Sequence, residues 1–214
     1  MEKLCETAMM LLILSDMALL AVSLLSTAIR LVAFQGVLLA VFIILIQWSD
    51  LTLRIGLIAL VSMGIKGVLF PYLLRRALRN AGIQREVEPF IGYIPSLLVG
   101  VLFFGVALFV HDKISIHIGP GLPLVVPAAF LTILTGLFLI AARKKALTQC
   151  LGYIVFENGI YAFGVAAAGE IPALVELGIL LDAFVAVLVM SVAIYRINRT
   201  FLHMDADQLS ELKG

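Results

Sequence analysis

Long apolar runs separated by short polar stretches set the pattern of this chain. Seven runs are long enough for helices that cross a bilayer, at roughly 20 residues each: 5–28, 31–47, 54–74, 91–110, 122–141, 146–168 and 172–195. The second run ends at Gln47-Trp48-Ser49-Asp50, where Trp48 suits the membrane–water interface. Pro71 lies near the end of the third run. It is expected to kink that helix and free the carbonyl of Gly67. Between runs four and five, His111 to Gly121 reads as a polar loop of turn-forming residues. Pro172 falls in the first turn of run seven, where a helix tolerates it. The expected architecture is therefore an all-α integral membrane protein of about seven transmembrane helices.

Composition decides what solvates this pattern. The chain is 63% hydrophobic and 14% charged, with a mean hydropathy of +1.14. A soluble globular chain is roughly 45–50% apolar and about 25% charged. So few charges cannot wet a surface around a core, so lipid is the expected solvent. A net charge of +1 offers no basic face for nucleic acid. Cys5 and Cys150 stand apart in apolar surroundings and read as core thiols. His111 and His117 share one loop, a thin basis for a metal site. The first run is longer than a signal-peptide core, contains Asp16 and lacks a small-x-small cleavage site, so it is expected to be a retained helix.

The charges are sorted along the chain. Arg30 follows run one, Arg75, Arg76, Arg79 and Arg85 follow run three, Arg143 to Lys145 follow run five, and Arg196, Arg199 and Lys213 follow run seven. With seven spans these positions share one side, and they hold most of the 15 Lys and Arg. The opposite side has Lys3, Arg54 and Lys113. The bias predicts an external N-terminus and a cytoplasmic C-terminus in a prokaryotic cytoplasmic membrane. The longest polar connection, 75–89, separates three helices (1–85) from four (86–214) within one membrane domain.

Ionisable side chains within membrane runs are costly, by about 2.5–3.5 kcal/mol each on insertion scales, and persist where they face protein or water. Four stand out: Asp16, Lys66, Glu157 and Asp182. The turn between runs six and seven centres near Glu170, 13 residues after Glu157 and 12 before Asp182. At 1.5 Å per residue both acids lie roughly 18–20 Å from that turn. They are expected to be level, near mid-membrane, on adjacent antiparallel helices. Two carboxyls at one depth in low dielectric have the profile of a proton relay, and the same acids can instead be neutral hydrogen-bonding groups. Glu176, six residues before Asp182, either extends such a path or caps the start of its helix. Lys66 lies between Gly64 and Gly67, which are expected to leave room beside it. It either titrates or forms a structural ion pair with an acid such as Asp16.

The last third carries a resemblance. Leu151-Gly152-Tyr153-Ile154-Val155-Phe156-Glu157-Asn158-Gly159 precedes Val175-Glu176-Leu177-Gly178-Ile179 and then Asp182-Ala183-Phe184-Val185-Ala186-Val187, and the chain ends Leu209-Ser210-Glu211-Leu212-Lys213-Gly214. This resembles the E component of the hydrogenase-4 family, membrane subunits of formate-hydrogenlyase-type complexes, most specifically over 143–214. That family is similar to the small NuoK subunit of respiratory complex I and to the MrpC subunit of cation/proton antiporters, whose three helices correspond to runs five to seven. The wider motif is Gly-Leu-Glu-x-x-x-Asn. Gly152 and Asn158 match it, and Ile154 stands where the glutamate is expected. Glu157 comes three residues later on nearly the same face. Aligning the tails likewise puts Asp182 about one turn before the second family glutamate.

The resemblance implies a non-catalytic subunit of a multi-part oxidoreductase complex that carries part of a proton or cation path. It implies antiporter-like and complex I-like membrane partners and a peripheral arm with nickel–iron and iron–sulfur centres. The chain has none of the ligands for those centres and is expected to bind no cofactor itself. Two other readings remain at this point: a stand-alone secondary transporter, and a membrane scaffold whose acids are structural.

Overall fold

The computed structural model describes residues 2–48, 52–81, 90–113, 123–167 and Gly178. Among them the chain is helical with no strand. The helices are α1 (Glu2–Ala21), α2 (Leu25–Ile46), α3 (Leu53–Gly64), a π-helical segment (Ile65–Leu69), α4 (Phe70–Ala81), α5 (Tyr93–Lys113), α6 (Val125–Ala142) and α7 (Ala146–Ala167). The α3, π and α4 segments run on without a break and together occupy predicted run three. The first six runs thus each find their helix. Run seven lies outside the described residues apart from Gly178, which is helical. Among the described residues, α1, α2, α5 and α6 are each long and apolar enough to cross a membrane. The protein is an all-α membrane protein.

Three boundaries differ from the expected ones. Run one was expected to end at 28 and run two to begin at 31, yet α1 stops at Ala21 and α2 starts at Leu25. Because α1 begins at Glu2, 20 residues already give about 30 Å of helix by Ala21, enough to cross the hydrocarbon. The turn falls on Val22-Ser23-Leu24, with Leu24 extended at φ −80°, ψ 113°. Arg30 therefore sits inside the second turn of α2, on its exposed side, rather than between helices. In run three the helix continues past 74 through Ala81, so Arg75, Arg76 and Arg79 are helical and exposed. Arg143, expected among the basic residues of a connection, is only 1% exposed. It donates to the carbonyls of Leu20 (3.2 Å) and Ile91 (3.4 Å) and lies 4.7 Å from the Tyr93 ring centroid. A cation on the last carbonyls of α1 suits the negative end of that helix.

The buried residues form layers. One apolar cluster holds Leu19, Leu20, Leu25, Ile29, Val32, Phe70, Leu74, Leu139, Leu151 and Ile154. A second holds Met9, Leu12, Leu39, Phe42, Ile43, Ala128, Ala129, Tyr161 and Ala162. On α1, α2, α6 and α7 the stretch between the clusters carries the buried polar residues: Ser15 and Asp16, Gln35, Thr132 and Thr135, Glu157 and Asn158. A polar layer is thus enclosed between two apolar ones.

Glycine makes the helices close enough to hold that layer. On α6 and α7 a Cβ at Gly136 would collide with the backbone of Phe156, and one at Gly159 would lie 2.5 Å from Ile133 N. Gly152 faces Gly136 O at 2.9 Å in the same way. Small residues that let backbones touch are the usual means of helix association in lipid, where apolar burial between helices gains little.

Candidate functional site

The sequence forces an irregularity where Lys66 stands. Pro71 has no N–H to give to the helix, and an unmodified α-helix would meet its ring with the preceding turn. Where a kink is expected the helix has a π segment: the Phe70 N–H reaches five residues back to Ile65 O. The extra residue in that turn is what re-aims the side chains beside it. Lys66 is within this segment and only 4% exposed. The glycine that admits it is Gly36 on α2, where a Cβ would lie 2.5 Å from Lys66 Cβ. Gly67 packs likewise against Val37 at 2.8 Å, whereas Gly64, expected to open space beside Lys66, meets nothing within 4 Å.

Lys66 Nζ donates to Glu157 Oε1 at 2.9 Å and to Asn158 Oδ1 at 3.2 Å. It also lies 5.3 Å from the centroid of the Tyr161 ring, within cation–π range. Glu157 is 2% exposed and occupies the middle of α7, roughly 16 Å from either end. The Coulomb attraction of such a pair rises as water is excluded, and so does the cost of having removed both charges from water.

Asp16 is elsewhere. Lys66 pairs with an acid, but that acid is Glu157 on α7 and not Asp16. Asp16 is fully buried, and its described partners are uncharged: Gln35 Nε2 to Oδ1 at 2.7 Å, and the Thr132 hydroxyl against Oδ2 at 2.6 Å. Gln35 Nε2 also donates to Ser15 Oγ at 2.9 Å, and Ser15 donates to Leu12 O at 2.7 Å. Of the residues singled out from sequence, the structure thus joins Lys66 to Glu157 and sets Asp16 in a second network. Glu176 and Asp182 lie outside the described residues. Gln35 and Thr132 join the site unannounced by the sequence, and Asn158, there only a motif match, enters it through Lys66. The signal for them is present, since each is a polar residue deep in an apolar run, but the cost of burial singles out ionisable side chains.

Comparison with known proteins locates this arrangement. The hydrogenase-4 component E of Escherichia coli (strain K12) is 31% identical over 149 residues, covering 70% of this chain and 69% of that one. The chain belongs to the hydrogenase-4 component E family. A protein of Mycobacterium tuberculosis (strain ATCC 25618 / H37Rv), described as uncharacterized protein Rv0085, is 32% identical over 187 residues, which is 86% of this chain and 84% of the other. The family model for NADH-ubiquinone/plastoquinone oxidoreductase chain 4L matches residues 124–214. That NuoK-like match begins where α6 begins, so within this component E-family chain it takes in α6, α7 and Glu157. Gln35 and Lys66 come from the part before it. No solved structure matches the chain.

Proposed function

We propose that this chain is a membrane-arm subunit of a respiratory-type, hydrogenase-linked complex, and that its buried acids form part of a proton or cation path coupled to redox chemistry in partner subunits. The observation that carries this reading is the Lys66–Glu157 pair, buried between apolar layers at the centre of α7. A membrane helix bundle gains no stability from such a pair that well-packed apolar side chains would not give. Titratable groups held at that depth serve pathways for charge. Asp182 joins the path in this proposal. Gly178 faces Tyr161, with an ideal Cβ 3.6 Å from its ring. Tyr161 is four residues after Glu157 and Gly178 four before Asp182, a spacing that fits the proposal that the two acids share one level. Glu176 then extends the path outward or caps its helix.

Similarity to a hydrogenase-4 component and to an oxidoreductase chain supports the proposed partners: antiporter-like and complex I-like membrane subunits, and a peripheral nickel–iron and iron–sulfur arm of the formate hydrogenlyase kind. The cofactors belong to those partners in this reading, and this chain contributes no catalytic residue. The C-terminus faces the cytoplasm. A reporter fused after Gly214 reads cytoplasmic and one at Ile116 external; a cytoplasmic signal at Ile116 rejects that orientation.

The decisive experiment uses the intact complex in proteoliposomes. The double variant Lys66→Met/Glu157→Gln removes both charges together, and Asp182→Asn removes the second acid. Both assemble, and both lower proton movement per electron. An assembled double variant with undiminished proton movement rejects the relay and leaves the scaffold role. Recovery of the chain as a stable monomer that transports a solute establishes the stand-alone transporter instead.

A further inference from the structure

Asp16 and Glu157 lie in the same polar layer, and several polar atoms of that layer are left over. Among the described residues, Gln35 Oε1, Thr135 Oγ1, Glu157 Oε2 and Asn158 Nδ2 are buried without a hydrogen-bond partner. Their residues are at most 2% exposed. Buried polar groups in proteins are almost always paired, with protein or with ordered water, and water occupies sites where several such groups converge.

The helix register brings Thr135 and Glu157 to one level. Gly136 meets Phe156 and Gly159 meets Ile133 across the α6–α7 contact, so Thr135, beside Gly136, is level with Glu157, beside Phe156. Thr135 is one turn along α6 from Thr132, which holds Asp16. On α2, Gln35 adjoins Gly36, against which Lys66 packs. The two networks are therefore neighbours through both α2 and α6.

Hydrogen counting bears on Asp16. The Thr132 hydroxyl is within bonding distance of Asp16 Oδ2 (2.6 Å) and of Ala128 O (2.8 Å), yet it has one hydrogen. Both contacts are satisfied when Asp16 Oδ2 carries a proton and donates to Thr132 Oγ1, which donates onward to Ala128 O. Gln35 meanwhile supplies one N–H to Asp16 and one to Ser15, whose own hydrogen goes to Leu12 O. No ion pair to Asp16 is present among the described residues.

We infer that Asp16 is a second proton-carrying site, a neutral carboxylic acid joined to Glu157 through Thr132 and through water held at Thr135 Oγ1 and Glu157 Oε2. Its destination rests on the proton-path reading; its existence does not. One proton moves in the step. The Thr132 hydroxyl first turns its hydrogen from Ala128 O to the water; the proton then leaves Asp16 Oδ2 for Thr132 Oγ1, Thr132 releases its own hydroxyl proton to the water, and the water passes a proton to Glu157 Oε2. Asp16 ends as a carboxylate and Glu157 as a neutral acid, Thr132 and the water end as they began, and no electron moves.

Infrared spectroscopy of the assembled complex tests this without turnover. The carbonyl band of a protonated carboxylic acid is expected to vanish in Asp16→Asn and to persist in Lys66→Met/Glu157→Gln. Thr132→Val shifts it upward, because the acid loses its acceptor, and serves where Asp16→Asn assembles poorly. Thr135→Val leaves the band in place but slows its deuterium exchange by roughly tenfold, the effect of about 1.4 kcal/mol lost with the bridging water. A carbonyl band unaltered by both Asp16→Asn and Thr132→Val overturns the site. Exchange as fast in Thr135→Val as in the parent overturns the connection. Failure of the proton-path reading would show in the proteoliposomes and leave these bands unchanged.

Discussion

Asp16 and Glu157 are both carboxyl groups buried in one polar layer, yet the protein treats them differently. Glu157 faces an ammonium group delivered by an irregular turn, and that ammonium also donates to Asn158, the next residue on the same helix. Asp16 is held by an amide and a hydroxyl from two other helices. The first arrangement depends on charge balance, so removing one charge upsets it. The second depends only on hydrogen-bond count, so any group that reproduces the count can stand in. The difference teaches that burial alone does not define a site of this kind. The charge of the partner decides what a neutral replacement will do.

The same substitution, acid to amide, breaks the comparison most sharply. Glu157→Gln leaves Lys66 charged and buried, and is expected to cost about 3–5 kcal/mol of stability. Adding Lys66→Met recovers most of that loss, which detergent unfolding of the two variants measures; no recovery would mean that the pair is not what Glu157 serves. Gly36→Val acts on the same pair indirectly. It pushes Lys66 off α2, where even a Cβ alone would lie 2.5 Å from the Lys66 Cβ, for about 1–3 kcal/mol of overpacking. Its loss should shrink when Lys66 is replaced by Gly, which removes the Cβ that the new side chain would strike. Thr132→Val removes one hydrogen bond at Asp16, expected at about 1 kcal/mol. The smallest effect is at Asp16→Asn. The amide still accepts from Gln35 and donates to Thr132, so the change is expected to stay within about 1 kcal/mol. A loss at Asp16→Asn as large as that at Glu157→Gln would erase the distinction.

Much of this was legible in the sequence because lipid makes hydropathy a direct reading of structure. Six apolar runs find their helices, and Glu157 falls in the middle of α7. The α1–α2 turn was misplaced because Val22-Ser23-Leu24 carries neither glycine nor proline. Lys66, Glu157 and Asp16 were recognised as costly groups, but their partners were not, since a pairing across 91 residues of sequence follows from helix packing and not from spacing. Gln35 and Thr132 escaped notice for a different reason. Uncharged polar side chains are cheap in membrane helices, where a hydroxyl can bond its own backbone, as Thr132 does with Ala128 O. Glu176 and Asp182 belong to a run outside the described residues.

The glycine contacts of α6 and α7 also have a mechanical meaning. Two rods that touch backbone to backbone at Gly136, Gly152 and Gly159 have no side-chain cushion between them along which to slide. They behave as one stiff beam, and Glu157 is fixed to it. Lys66 instead hangs from the most compliant point of its own helix, a turn with one residue too many. Any stroke that parts the ammonium from the carboxylate is therefore taken up by the lysine's side of the joint. Spin labels across the beam would keep their spacing while labels from α4 to α7 would not.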